Sequence, residues 1–107
     1  MVSSTANEIL SLVSAGLRSI YGPRLQGSYL YGSYARGEES PGSDVDVLVV
    51  LEDYTSYSEE ISRTSQLIAG LSLQYGVTLS RVFLRHSEWL SGDNPFLGNV
   101  REEAIPA

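Results

Sequence analysis

Hydrophobic positions recur along this chain in two rhythms, one helical and one strand-like. Over residues 4–20, Ile9, Leu10, Val13, Leu17 and Ile20 return at helical spacing, while Asn7, Glu8, Ser11 and Ser14 fill the polar side. Tyr21-Gly22-Pro23 should end this helix, since Gly suits the position after a helix and Pro cannot continue one. Residues 25–31 are short and aromatic-rich, which predicts a strand. Gly32, Gly37, Pro41 and Gly42 make residues 32–43 a loop with room for one helical turn. Residues 45–51 are β-branched and aliphatic almost throughout, the pattern of a strand covered on both faces in the middle of a sheet.

A second helix is expected over 56–75, where Tyr57, Ile61, Thr64, Ile68, Leu71 and Tyr75 alternate by four and three, with Gly76 as its stop. Residues 77–84 read as a third strand, with Val77, Leu79 and Phe83 on one face and Thr78, Ser80, Val82 and Leu84 on the other. The tail, 87–107, reads as short helical pieces broken at Gly92-Asp93-Asn94-Pro95 and anchored by Trp89, Phe96, Leu97 and Val100. The order α-β-β-α-β-α predicts an α/β (α+β) fold, a small mixed β-sheet with helices packed against it. The second helix is long enough to cross between parallel strands. At 107 residues, the expected organisation is a single domain spanning 1–107.

Two acidic residues interrupt the apolar rhythm, Asp44 and Asp46, at the mouth of the central strand. Residues two apart on a strand point to the same face. Like charges that close are unfavourable unless a cation lies between them, and Mg²⁺ prefers such oxygen ligands. Gly32-Ser33 directly follows the first strand, where a Gly lets a phosphate approach the backbone. Ser33 could cap a short helix there, with its N–H and hydroxyl facing an anion. Arg36 is the nearest cation and suits bidentate phosphate binding. Taken singly, an Asp-x-Asp is more often a solvated strand end and a Gly-Ser more often a turn. Their combination between two strands is what nucleotidyl transfer requires.

The stretch resembles the signature of the DNA polymerase β-like nucleotidyltransferase superfamily: Gly-Ser, ten residues, then Asp-x-Asp. The fuller form is matched by Gly32, Ser33, Ala35, Arg36, Gly37, Ser43, Asp44 and Asp46. In length the chain is similar to the minimal nucleotidyltransferase group, the MntA-type antitoxins of HEPN/MNT toxin–antitoxin systems. The resemblance implies a nucleotidyltransferase fold and AMP transfer from ATP to a tyrosine of a HEPN ribonuclease toxin. It also implies that Asp44 and Asp46 bind Mg²⁺ and carry catalysis, while Gly32, Ser33, Arg36 and Ser43 hold the nucleotide.

The chain departs from that pattern in one respect. Active members of the superfamily usually carry a third carboxylate on a later strand, and no acid lies between Glu60 and Glu88 here. Thr78 or Ser80 would take its place, and a hydroxyl is a poor general base near neutral pH. The alternative function is therefore a weakened module that binds nucleotide and neutralises its toxin by docking alone. A drug-modifying adenylyltransferase fits less well, because those proteins resemble this domain plus a helical one.

The remaining features narrow the setting. A formal charge of −6, with only seven basic residues, argues against direct nucleic-acid binding. The absence of cysteine excludes disulfides and thiolate-bound zinc. No apolar run is long enough for a membrane span and the N-terminus lacks a signal-peptide pattern, so a cytoplasmic protein is expected. Self-association stays open. His86, lacking companion ligands, reads as a surface or packing residue. The tyrosines read as core packing, except Tyr34, which lies inside the loop beside the nucleotide. Glu38-Glu39, Glu52-Asp53, Glu59-Glu60 and Glu102-Glu103 read as solvated acidic faces that can steer a basic partner.

Overall fold

A computed structural model describes residues 4–40, 42–92 and 96–106. Helix α1 (Ser4–Tyr21) buries Ile9, Leu10, Val13 and Leu17 of the expected stripe, together with Ala6 and Tyr21, whereas Ile20 is exposed and Ser14, expected on the polar side, is buried. A 3-10 turn at Gly22–Arg24 leads into β1 (Leu25–Tyr31). A one-turn helix, α2 (Ser33–Arg36), precedes the central strand β2 (Val45–Leu51). Helix α3 (Tyr57–Tyr75) starts on Ser56, whose side chain accepts from the Glu59 amide, and ends at Gly76 in the left-handed region. Strand β3 (Leu79–Arg85) runs directly into α4 (His86–Ser91), and α5 (Leu97–Glu103) is followed by the short β4 (Ile105–Pro106).

The sheet order is β3-β2-β1-β4. β1 and β2 are antiparallel, as are β1 and β4, whereas β2 and β3 run parallel with α3 as their crossover. β2 is the interior strand expected from its composition, and six of its seven residues are buried. Val45, Val47, Val49 and Leu51 face the α1–α3 layer together with Leu30, Leu79 and Phe83. Leu48, Val50 and Leu84 form a second cluster on the opposite face, closed by Leu97 and Val100 of α5 and flanked by Tyr29, Tyr31 and Trp89. Truncating a fully buried leucine such as Leu48 in this sandwich costs about 2–5 kcal/mol. Among the described residues, no helix is long and apolar enough to cross a membrane.

Other local expectations also change. The third strand begins at Leu79, because the Val77 amide bonds to the Ser72 carbonyl and so finishes α3 instead of pairing in the sheet. The tail is not wholly helical: Ile105 and Pro106 pair with Leu30 and Tyr29 as an added edge strand. Of the expected break at 92–95, Gly92 caps α4, and residues 93–95 lie outside the described residues. The anchors act as expected for Leu97, Val100 and Trp89, while Phe96 stays partly exposed, edge-on to Tyr31.

Glu60 is the clearest correction. Expected on a solvated face, it is 2% exposed, accepts a 2.7 Å hydrogen bond from the Tyr21 hydroxyl and pairs with Arg63 at 3.1 Å. The helical stripe defines an apolar face, and it cannot reveal that a neighbouring carboxylate meets a tyrosine from another helix.

Candidate functional site

The sequence signature converges at the end of the sheet where β1 stops and β2 starts. Tyr31, Asp46 and Ser80 lie side by side across three strands, because Tyr31 pairs with Asp46 and Asp46 with Ser80. Their side chains share the face opposite the α1–α3 layer. Asp46 is half-buried, and its Oδ1 accepts a 2.7 Å hydrogen bond from the Ser80 hydroxyl. Asp44 is exposed and lies just ahead of β2. The Val45 amide is bonded to the Thr78 carbonyl at 2.8 Å, which ties the start of β2 beside Asp44 to the chain entering β3.

Gly32 turns the chain out of β1 with φ 78° and ψ −160°, a conformation that L side chains rarely adopt. A Cβ at this position would also run into the Asp46 carboxylate. The glycine thus serves twice, bending the backbone and leaving space beside Asp46. Gly32, not Ser33, holds the helix-cap position: its carbonyl accepts from the Ala35 and Arg36 amides, and Ser33 is the first helical residue. The amides that open a helix have no acceptor within it, so those of Ser33 and Tyr34 are presented outward.

Arg36, at the end of α2, donates to Glu38 at 2.9 Å and to Glu103 at 2.9 Å. Hydrogen bonding to Glu103, then to Glu38, raises its affinity for its proton further. Ser43 is tied into its own loop, with its amide on the Ser40 carbonyl and its Oγ accepting from the Ser40 amide. A cleft of about 450 Å³ opens beside this loop, lined by Tyr34, Ser43 and Thr78 among others. Burial, followed by the charge of Asp46, pushes the Tyr31 phenol up to about 12.

The residues present fit a hard divalent cation to a limited extent. Asp46 supplies carboxylate oxygens against the Gly32 backbone, where a Cβ would collide with them, and Asp44, exposed just ahead of β2, is the neighbouring acid. Among the described residues no third acidic, histidine or cysteine ligand joins them, so substrate oxygens and water would complete the shell. Ser80 stands opposite Asp46, which settles its competition with Thr78 for the neighbouring position on β3.

Sequence reading missed Glu103. Its Oε1 accepts from the Gly32 amide at 3.1 Å and its Oε2 from Arg36, across 71 and 67 positions of chain. An acidic pair near a helix end carries no local sign of such a partner.

Comparison with known proteins identifies the family. The profile of the nucleotidyltransferase domain matches residues 11–91. The chain is 28% identical, over 73% of its length and 78% of the relative's, to a candidate protein adenylyltransferase of Methanocaldococcus jannaschii. The solved structure of a candidate minimal nucleotidyltransferase superposes with a TM-score of 0.66 at 26% identity, covering 100% of this chain and 97% of that one. A chain from the Shewanella oneidensis complex of a tri-AMPylated HEPN toxin with its MNT antitoxin superposes with a TM-score of 0.60 at 20% identity. That match covers 94% of this chain and 70% of the other. A profile match over most of the chain, with the signature residues gathered at one end of the sheet, means that this protein belongs to the nucleotidyltransferase domain family.

Proposed function

We propose that this protein transfers AMP from ATP to a tyrosine hydroxyl of a HEPN-type toxin, and so acts as the antitoxin of the pair. The observation that carries this reading is the meeting of Asp46, flanked by Asp44, with the Gly32 turn at one end of the sheet. A turn open to phosphate and an acidic strand mouth are the two halves of a nucleotide-triphosphate site. The similarity to a protein adenylyltransferase and to an antitoxin bound to an AMPylated toxin supports the choice of acceptor.

In this reading Gly32, Ser33 and Ser43 border the phosphates, with Arg36 the nearest cation, and Asp44 and Asp46 hold Mg²⁺. A bound Mg²⁺ would offset phosphate charge and favour the ionised acceptor. The acceptor oxygen forms a bond to the α-phosphorus, the bond to the bridging oxygen breaks, and pyrophosphate leaves with that electron pair. The hydroxyl proton passes to solvent or to a base of the acceptor protein, since Ser80 is a weak base.

Purified chain, partner, Mg²⁺ and ATP labelled at the α-phosphate should label the partner. Asp44→Asn combined with Asp46→Asn should abolish the label, and persistence of label in that double variant would refute the site. One feature favours a second reading, neutralisation by docking alone: a serine occupies the β3 position opposite Asp46. Intact-mass spectrometry of the co-purified partner separates the two. A gain of AMP after adding ATP and Mg²⁺ supports transfer, and stable association without any gain supports docking.

A further inference from the structure

Glu103 is one carboxylate with two donors drawn from opposite ends of the same turn. Oε1 receives the Gly32 amide at the head of α2, and Oε2 receives the Arg36 guanidinium at its tail. The turn needs such an outside hold. Gly32 has no side chain of its own to fix its unusual backbone, and a helix of four residues is far too short to be stable alone. Glu38 also meets Arg36, but it is an exposed neighbour two positions away, and such pairs contribute little. Glu103 is better sheltered, with its side chain 23% exposed.

Glu103 is also anchored on both sides. Leu97 and Val100 of the same helix are buried in the second core cluster. The Ala104 amide closes on the Val100 carbonyl at 2.8 Å, and Ile105 immediately pairs with Leu30 in the sheet. The backbone of Glu103 is thus held by a helix anchored in the core and by a paired strand, and both of its carboxylate oxygens are already engaged, so it is poorly placed to swing aside for an incoming phosphate. Its fixed position suits a brace.

We propose that Glu103 is the positioning residue of the phosphate turn, joining the C-terminal helix to the site and holding Gly32 and Arg36 in the arrangement that receives nucleotide. Arg36 then acts through Glu103, as the charged half of the brace. The proposal rests on the nucleotide-binding reading above and adds to it a residue that lies outside the signature.

The test uses the full chain with AMP-PNP and Mg²⁺ as the probe, and hydrogen exchange at the Gly32 amide as a second readout. Glu103→Ala should weaken AMP-PNP binding by about 10- to 100-fold, the range seen when supports behind a binding group are removed. It should also strip protection from the Gly32 amide. Glu103→Gln keeps an acceptor for Gly32 but loses the ion pair, so it should retain that protection and bind with intermediate affinity. A merely structural role would lower the melting temperature of both variants without this graded rescue. Unchanged or tighter binding in Glu103→Ala would overturn the brace and make Glu103 a competitor for the anion position. Failure of the unsubstituted chain to bind AMP-PNP would sink the nucleotide reading instead. In that case Gly32 exchange still decides the brace: protection lost in Glu103→Ala upholds it, and protection kept refutes it.

Discussion

Two carboxylates are withdrawn from solvent at opposite ends of β1, and their surroundings differ in kind. Glu60 sits near the start of that strand with the Tyr21 hydroxyl and Arg63 bonded to it and Arg24 at 4.0 Å. Asp46 lies beyond the other end, bonded to the uncharged Ser80, and among the described residues no arginine pairs with it or with Asp44. The nearby Arg36 is taken by Glu38 and Glu103. One end of the molecule therefore balances its buried charge within the chain. The other end is short of positive charge, and that shortage is what the Mg²⁺ of the proposed site would fill.

Stability measurements give the sharpest way to break this contrast. Glu60→Ala leaves the Tyr21 hydroxyl and two arginines without their shared acceptor, and loss of one partner from a buried ion pair costs about 3–5 kcal/mol. Both arginines left behind are nearly half exposed and can hydrate, so the cost falls below that range and rests mainly on the orphaned Tyr21 hydroxyl: we expect about 2 kcal/mol, read by urea unfolding. A loss below about 1 kcal/mol, the usual worth of an exposed pair, would mean that Glu60 is not the structural carboxylate described here.

Asp44→Asn with Asp46→Asn should do the opposite. Two like charges disappear and the Ser80 bond keeps an acceptor, so unfolding should shift by less than about 1 kcal/mol while transfer to the partner is lost. A stability loss matching that of Glu60→Ala would place Asp46 in the structural class and erase the distinction.

Ser80→Asp sharpens the contrast further by adding a carboxylate directly opposite Asp46. Excess negative charge should destabilise the chain without Mg²⁺, and Mg²⁺ should restore it. If the missing base limits the reaction, transfer should rise about 10- to 100-fold, the lower part of what a positioned general base provides. A rise in melting temperature without Mg²⁺ would contradict the charge shortage.

The two regions also differ in how far they could be read in advance. The Gly32-Ser33 to Asp44-Val45-Asp46 segment was legible because close spacing in sequence becomes close spacing in space when a strand, a turn and a strand follow one another. The central position of β2 and the parallel crossover through α3 were legible for a similar reason, since continuous apolarity and helix length are local properties. Glu60 and Glu103 were not, because each was one of two adjacent acids and only tertiary packing chose between them. Tyr21 selects Glu60 from 39 positions away, and Gly32 selects Glu103 from 71. The edge strand β4 escaped because two residues are too few to show a period.

The finest probe of the contrast is a pair of tyrosines, one at each carboxylate. Tyr21 is raised by burial, then by its hydrogen bond to Glu60; Tyr31 is pushed up to about 12 by burial, then by the charge of Asp46. For a phenol so raised, the unfolded chain ionises near its ordinary value of 10 while the folded chain keeps its proton. Its stabilising contribution is thus fully present below pH 10 and is lost as the pH rises through 12. Tyrosinate absorbance, followed together with circular dichroism, should show both phenols among the last to ionise and unfolding setting in over that window. Asp46→Asn should lower the Tyr31 midpoint slightly and leave Tyr21 where it is, because burial is the larger cause and only the smaller one is removed. If both tyrosines moved together, the two carboxylates would share one electrostatic environment, and the separation between a self-balanced end and a charge-hungry end would fail.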